Sequence, residues 1–443
     1  MPKKAKKLQE ISKIMEGYVV NEFDKINVSV LKELVEETEI IADPRYKPKT
    51  WHKLSDIIII TLFAVMANAD EWSAIETFGK KKEKWLRTFL KLENGIPTDD
   101  TYRIVISKLN VQSVYRVMIG FLIRKLSEII NIFGLEETDE EKEIMSIDGK
   151  VSKGSKRNEG EKEGTKALNT LNAYSSKWGM CIDQEFIEEK SNEIPALPIL
   201  LERLELRDTI VTWDAINTQK GTVAAVITGK GDYVGALKGN QGNLYEDVRD
   251  YFDEAKISEI KTDDKNRKGQ GLKAENYQKT VEKEHSAVIT REYYIEKDIE
   301  WLYGKEEWAG LKSIGVEIKT IEKNGVGTTP VYERRYYISS VKDIKDFARS
   351  VRGHWGVENG LHWQLDYTFN DDKNTTMKNN GAEGLQIFKK IALAILKIAQ
   401  AVYPVRTSIK RIRYNLSLDF ENEIKNIFVA LSIDNLNDVL IKR

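Results

Sequence analysis

The 443-residue chain has one cysteine, Cys181, so it can form no internal disulfide and offers no ligands for a thiolate metal cluster. This fits a reducing cytoplasm and excludes cysteine-based redox chemistry and zinc sites. Long apolar runs are also scarce. The most apolar, Ile57 to Ala69, is closed by Asp56 and Asp70. It falls short of the roughly 18 residues that a membrane-spanning helix requires, so it reads as a buried core helix. The basic start MPKKAKKLQE is followed by no apolar stretch that could serve as a secretory signal, and a cytoplasmic protein with no membrane partner is expected. Net charge is nearly absent: 69 Lys and Arg against 70 Asp and Glu leave −1, so any DNA-binding surface must be local. GxxxxGK[ST], GxGxxG after a strand, HExxH and GxSxG are all missing, which leaves ATP-driven chemistry and serine hydrolysis without support.

What is present, 41% hydrophobic and 31% charged residues, suffices for two or three cores. Up to about Phe133 the apolar residues recur at three- and four-residue spacing, as in LSDIIIITLFAVMANA and VYRVMIGFLIRKLSEIINIF, which predicts an all-helical amino-terminal domain over residues 1–135. In GIPTDDTYR, Pro97 and Thr98 mark a helix start with Asp99 and Asp100 in its first turn. The pattern is compatible with part of a helix-turn-helix, and an ordinary helical bundle is the better account of it. The polar stretch GLEETDEEKE marks a boundary.

From Ile144 the pattern changes. EIMSIDG, TLNAYSS and MCIDQEFI read as strands, followed by a helix over Asn192 to Leu204, the strand TIVTWDA, a helix over Thr218 to Thr228 and the strand DYVGALK. Three strands followed by αβαβ units is the order of an α/β ribonuclease H-like fold, a mixed sheet flanked by helices. This core is assigned to residues 144–240 and 344–400. Residues 241–343 read as a largely β-rich insertion: a helix over Leu244 to Glu254, the polar loop KTDDKNRKGQG, then VITREYYIE, VEIKTIE and VYERRYYISS around the turn-like KNGVGTTP. Residues 401–443 form a basic helical carboxy-terminal segment. Two stretches are locally basic: KVSKGSKR, with Lys150 and Lys153, and the run from Lys389 through Lys397, Arg406, Lys410, Arg411 and Arg413.

Asp148 in SIDGK and Asp214 in VTWDA close strands that neighbour each other in such a sheet, so acids 66 positions apart face one pocket. Gly149 is read as a turn that exposes Asp148 at the sheet edge. The third element, RGHWGVENGLHW, holds two of the four histidines and two of the nine tryptophans. Its Gly356 and Gly360 each cost a helix about 1 kcal/mol relative to alanine, which implies close approach of the backbone to the first strand and brings Glu358 to the aspartates. Three clustered carboxylates repel one another unless cations are present. Hard oxygen ligands suit Mg²⁺ or Mn²⁺, and a pair of such ions supports in-line phosphoryl displacement. A zinc site of His354, Glu358 and His362 is disfavoured, because the outer histidines lie about 12 Å apart along a helix. Phosphate or hydrogen-bonding roles suit both histidines better.

SIDGK, EKSNEIPALPILLERLEL, IVTWDA, GDYVGALKGNQ and RGHWGVENGLHWQLDYTFNDD, in that order, closely resemble the H-repeat-associated insertion-sequence transposases of the DDE superfamily. DPRYKPKTWHKLSDIIIITLFAVMANADEWSAIETFG and GIPTDDTYR resemble the amino-terminal domain of that family, so the resemblance spans nearly the whole chain. It implies a ribonuclease H-like catalytic domain with its metal-binding triad at Asp148, Asp214 and Glu358. It also implies binding to the terminal inverted repeats of a mobile element and to target DNA. Families with a tyrosine-arginine-glutamate-lysine signature carry arginine four residues before the third acid and lysine seven after. Here those positions are His354 and Leu365, so hairpin chemistry is not implied. Within the resemblance, Lys238, Arg352 and His354 are candidates for phosphate contacts, and Trp355 or Trp363 for stacking on an unpaired base. Recombining two ends implies a homodimer or a higher assembly on DNA. A transposase-derived DNA-binding protein without catalysis, and a nuclease that never joins strands, are the alternative readings.

Overall fold

The computed structural model describes residues 29–132, 141–155, 167–187, 193–284, 287–323, 330–373, 380–402, 407–429 and 431. Residues 133–140 of the expected boundary, Lys156 and Arg157 of the first basic stretch, residues 324–329 of the KNGVGTTP turn, and Arg406 lie outside them.

Five helices open the described chain: α1 (Ser29–Glu39), α2 (Leu54–Met66), α3 (Trp72–Leu86), α4 (Asp99–Ile106) and α5 (Val111–Ile132). Every residue of α2 is buried, as the apolar run from Ile57 demands, and Ser55, Asp56 and Thr61 are buried with it. Thr98 caps α4 by accepting a hydrogen bond from the Thr101 backbone N–H, with Asp99 and Asp100 beside the positive end of the helix dipole. No described helix is long and apolar enough to cross a membrane.

Nine strands form one sheet: β1 (Glu143–Ser152), β2 (Leu168–Ser175), β3 (Met180–Ile187), β4 (Thr209–Trp213), β5 (Asp232–Leu237), β6 (Tyr277–Glu284), β7 (Ala287–Glu296), β8 (Ser313–Lys323) and β9 (Val331–Ser339). Their order is β3-β2-β1-β4-β5-β9-β8-β7-β6. The first five, with β1, β2 and β3 antiparallel and β4 and β5 parallel to β1, are the expected ribonuclease H-like arrangement. The 241–343 segment is no appendage, because β9 pairs with the β5 edge and carries the same sheet outward. One face is covered by α6 (Glu193–Leu201), α7 (Lys220–Thr228), α8 (Asn243–Tyr251) and α9 (Glu254–Gly269), the other by α10 (Ile344–Val357).

Two expectations need correction. KTDDKNRKGQG is mostly helix, the end of α9, and not a loop. It contains no apolar residue, so periodicity is silent. The helix is held by its Asp253 cap, by buried Ile257 and Ile260, and by Asp264, whose buried carboxylate accepts the backbone N–H groups of Glu275, Asn276 and Tyr277. The basic run from Lys389 is not all at the surface either. α11 (Trp363–Phe369), α12 (Gly381–Val402), α13 (Ile409–Leu418) and α14 (Phe420–Val429) share one apolar core with α1 to α5, and Phe420 packs 5.7 Å from Phe63 and 5.3 Å from Trp85 between ring centroids. Lys389, Lys390 and Arg413 are buried and paired inside: Lys389 with Asp371, Lys390 with Asn172 and Gln184, and Arg413 with Asp70 and the Val65 and Thr368 carbonyls. Buried cations must be compensated, and these are.

Candidate active site

Strand alternation places the acids. Along β1, Ile144, Ser146 and Asp148 face α10 while Met145 and Ile147 enter the opposite core. Along β4, Ile210 and Thr212 face α10, and Asp214, the next residue of the same parity, follows the strand. The parallel register pairs Ile144 with Ile210, Ser146 with Thr212 and Ile147 with Trp213, a constant offset of 66 that brings Asp148 and Asp214 to one rung. The antiparallel partners continue that rung: Asp148 opposes Asn172 on β2, which opposes Gln184 on β3. Four polar side chains thus cross the sheet in a row.

Asp148 lies inside β1, not at its end, because the strand runs on to Ser152. Gly149 makes no turn. A Cβ there would collide with the Glu193 carboxylate, so the glycine provides clearance for α6. The expected approach to the catalytic helix is also redistributed. Gly353 lies against Ile144 of β1, whereas Gly356 and Gly360 clear the ring of Tyr174 on β2.

Asp343 caps α10 by accepting the N–H groups of Lys345 and Asp346. At Glu358–His362 the helix widens into a π turn, closed by the Trp363 N–H to the Glu358 carbonyl, a local distortion that recurs at functional sites. The turn directs Glu358 and His362 to the same place. His362 Nδ1 lies 3.5 Å from Asp148 Oδ2 and 3.7 Å from Glu358 Oε2, and single ligand atoms of these three residues fall within 4.8 Å of one another. His354 serves a different acid, with Nε2 3.5 Å from Asp214 Oδ1 and Nδ1 3.1 Å from Thr212 Oγ1. The two histidines therefore do not share one metal.

Burial, joined by the charges of Asp214 and Glu358, pushes the Asp148 carboxyl up to about 8. The hydrogen bond from His354 holds Asp214 below its usual range, and the hydrogen bond from His362 does the same for Glu358. Burial lowers His362. All three acids line one cleft of about 450 Å³, together with Lys238, His354 and Trp355. Among the described residues the tight cluster is Asp148, Glu358 and His362, with Asp214 outside it across the same cleft; its carboxylate oxygens, one of them reluctant to ionise alone, fit a hard divalent cation.

The remaining residues singled out by sequence are placed as follows. Lys238 is exposed at the cleft. Trp355 lies in the wall with the Arg335 guanidinium 4.9 Å from its ring centroid. Trp363 is 52% exposed and stacked on Tyr367. Lys153 is exposed, 3.4 Å from Asp372. Arg352 makes a two-pronged ion pair with Glu282 of β6, away from the acids. Lys150 is buried and bonded at 2.5 Å to Asp366, an acid 39% exposed. Sequence reasoning missed Arg335 and Asn172. Arg335 was legible in ERRYY: alternation puts Glu333, Arg335 and Tyr337 on the α10 face, where Tyr337 meets Phe347. Asn172 carried no signal of its own.

Residues 139–395 match the family described as the transposase DDE domain, and residues 35–122 match the DDE-associated domain. YncI of Escherichia coli O157:H7 is 34% identical over 391 residues, covering 88% of this chain and 93% of the relative. The H repeat-associated YhhI of Escherichia coli K12 is 32% identical over 373 residues, covering 83% and 90%. Both carry the word transposase in their names. A synaptic complex of piggyBac transposase with hairpin DNA aligns over 92% of this chain and 79% of that one at 11% identity, with a TM-score of 0.35, too slight a likeness to argue from. On the matched domains and these relatives, the chain belongs to the DDE transposase family, together with H repeat-associated members.

Proposed function

We propose that this protein cuts DNA at the ends of an insertion sequence and joins the freed 3′-hydroxyl to target DNA, with Asp148, Asp214 and Glu358 as the ligands of two Mg²⁺ or Mn²⁺ ions. The observation that carries the reading is the convergence of three acids, from β1, the end of β4 and the α10 π turn, on one cleft walled by cationic and aromatic groups. Two such ions, held by these three carboxylates, would supply activation of the attacking oxygen and charge stabilisation of the leaving oxygen in an in-line displacement. The chain's own residues do the rest. His354 keeps Asp214 ionised, while Lys238 and Arg335, at the cleft, neutralise and orient the scissile phosphate. Lys153 and Trp355 are further DNA contacts, and Arg352 acts indirectly by tying α10 to β6. Recombination of two element ends calls for two copies of the chain on DNA.

The test is Mg²⁺-dependent nicking of DNA bearing the inverted repeats that flank the reading frame, comparing the intact protein with Asp148→Asn, Asp214→Asn and Glu358→Gln. Cleavage is expected only from the intact protein, and equal activity in all four overturns the assignment. A precut end with a free 3′-hydroxyl, supplied with a target plasmid, should yield joined product. Cleavage without joining identifies a nuclease, and binding without cleavage by the intact protein identifies a DNA-binding derivative.

A further inference from the structure

We infer that Lys390 and Asn172 lock His362 as its Nδ1–H tautomer, so that His362 is a hydrogen-bond donor to Asp148 and Glu358 and leaves the ion site with oxygen ligands alone. The inference rests on the ion site proposed above and adds to it a positioning residue and the origin of its metal preference.

A chain of contacts runs inward from Lys390. Its ammonium, which can only donate, is buried and lies 2.5 Å from Asn172 Oδ1, with Gln184 Oε1 as a second acceptor. The single hydrogen of the buried Cys181 thiol has a nearer acceptor in the Asp183 carbonyl at 3.2 Å, so Lys390 alone fixes the orientation of the Asn172 amide, with its oxygen toward the ammonium and its NH₂ turned away. That NH₂ meets three groups: the Thr170 carbonyl at 3.0 Å, the Asp148 carbonyl at 3.3 Å and His362 Nε2 at 3.4 Å. Its two hydrogens are shared among these three groups, and because an amide nitrogen has no lone pair to accept a proton, the Nε2 that faces it presents its own lone pair. The imidazolium is excluded by the same contact, because it would set N–H against N–H in a buried site. A neutral imidazole carries one N–H, and with Nε2 bare it sits on Nδ1, which faces Asp148 and Glu358.

A protonated nitrogen cannot ligate a metal. The cluster of Asp148, Glu358 and His362, which by spacing alone resembles a mixed nitrogen and oxygen site, therefore offers only oxygens. Oxygen-only sites favour Mg²⁺ and Mn²⁺, whereas an imidazole lone pair would admit Zn²⁺ and Co²⁺.

The direct test is ¹⁵N NMR of metal-free protein labelled in its four histidines, with His362→Gln to assign the resonance. The expected spectrum shows a protonated Nδ1 and a bare Nε2 for His362; the reverse tautomer, or protonation of both nitrogens, overturns the inference. A second arm uses Asn172→Asp, whose carboxylate would accept from Nε2–H while keeping Lys390 paired, freeing the Nδ1 lone pair toward the acids. This variant should bind Co²⁺ at least about tenfold more tightly, relative to Mn²⁺, than the intact protein. Unchanged Co²⁺ preference, or Zn²⁺ shifting His362 Nδ1 in the intact protein, sinks the inference. If the variant fails to fold, the spectrum of the intact protein decides. Neither arm uses cleavage, so a protein inactive on DNA would defeat the transposase reading and leave this one standing.

Discussion

Asp148→Asn should stabilise the metal-free protein while destroying its response to divalent ions. The carboxyl is pushed up to about 8 by burial and by the facing acids, from 3.8 in the unfolded chain. A raised carboxyl favours the folded state only while protonated. Its contribution is therefore full below about pH 4 and is lost progressively as pH rises toward 8. Four pH units at about 1.4 kcal/mol each set a ceiling of about 6 kcal/mol. Water at the cleft and an effective interior dielectric nearer 20 reduce this to about 2 to 3 kcal/mol. At about 2 °C per kcal/mol for a chain of this size, the variant should melt about 5 °C above the intact protein at pH 9 in EDTA. The gap should narrow as pH falls and close near pH 4. Saturating Mn²⁺ should raise the Tm of the intact protein and leave that of the variant nearly unmoved. Thermal denaturation across pH, with and without the ion, reads all of this. Equal Tm values at every pH, or equal stabilisation of both proteins by Mn²⁺, would refute the reasoning.

Four further outcomes are expected. Asp56, buried in the first turn of α2, is pushed up to about 6 by its desolvation, so Asp56→Asn should add at most roughly 3 kcal/mol above pH 6 and nothing near pH 4, measured by urea unfolding. Arg413→Met removes a buried guanidinium that binds Asp70 and two carbonyls, and should cost about 3 to 5 kcal/mol in urea while leaving DNA affinity per folded molecule unchanged. In Gly360→Ala the new methyl meets the Tyr174 ring, with Cζ at 2.8 Å, so the turn bearing Glu358 must shift and nicking should fall about 100-fold. Arg335→Ala should lower the slope of log affinity against log salt by about 1 with stability within about 0.5 kcal/mol, read by DNA titration at several salt concentrations.

The acids were legible because strands write them in a period of two. Ile144, Ser146 and Asp148, and Ile210, Thr212 and Asp214, form two matching triplets, and their common offset is the sheet register itself. Glu358 was legible through the company of glycine, histidine and tryptophan around it. The supports of these residues were not. The roles of Gly149, Gly356 and Gly360 depend on Glu193 and Tyr174, side chains of other elements that only the fold brings near. The basic run from Lys389 offered a candidate for a local DNA-binding surface, yet Lys390 and Arg413 are interior because Asn172, Gln184 and Asp70 await them far away in sequence. Charge along a chain does not reveal which charges have buried partners, so local basicity pointed at interior groups while Arg335, in a mixed-charge strand, went unnoticed.

Diffraction from crystals grown with Mn²⁺, recorded for its anomalous signal, tests the central claim most directly. Manganese peaks are expected in the cleft within about 2.0 to 2.3 Å of carboxylate oxygens of Asp148, Asp214 and Glu358, the range for hard divalent ions on oxygen, with His362 outside the coordination sphere. Manganese bound elsewhere while these three carboxylates stay free of metal would contradict it.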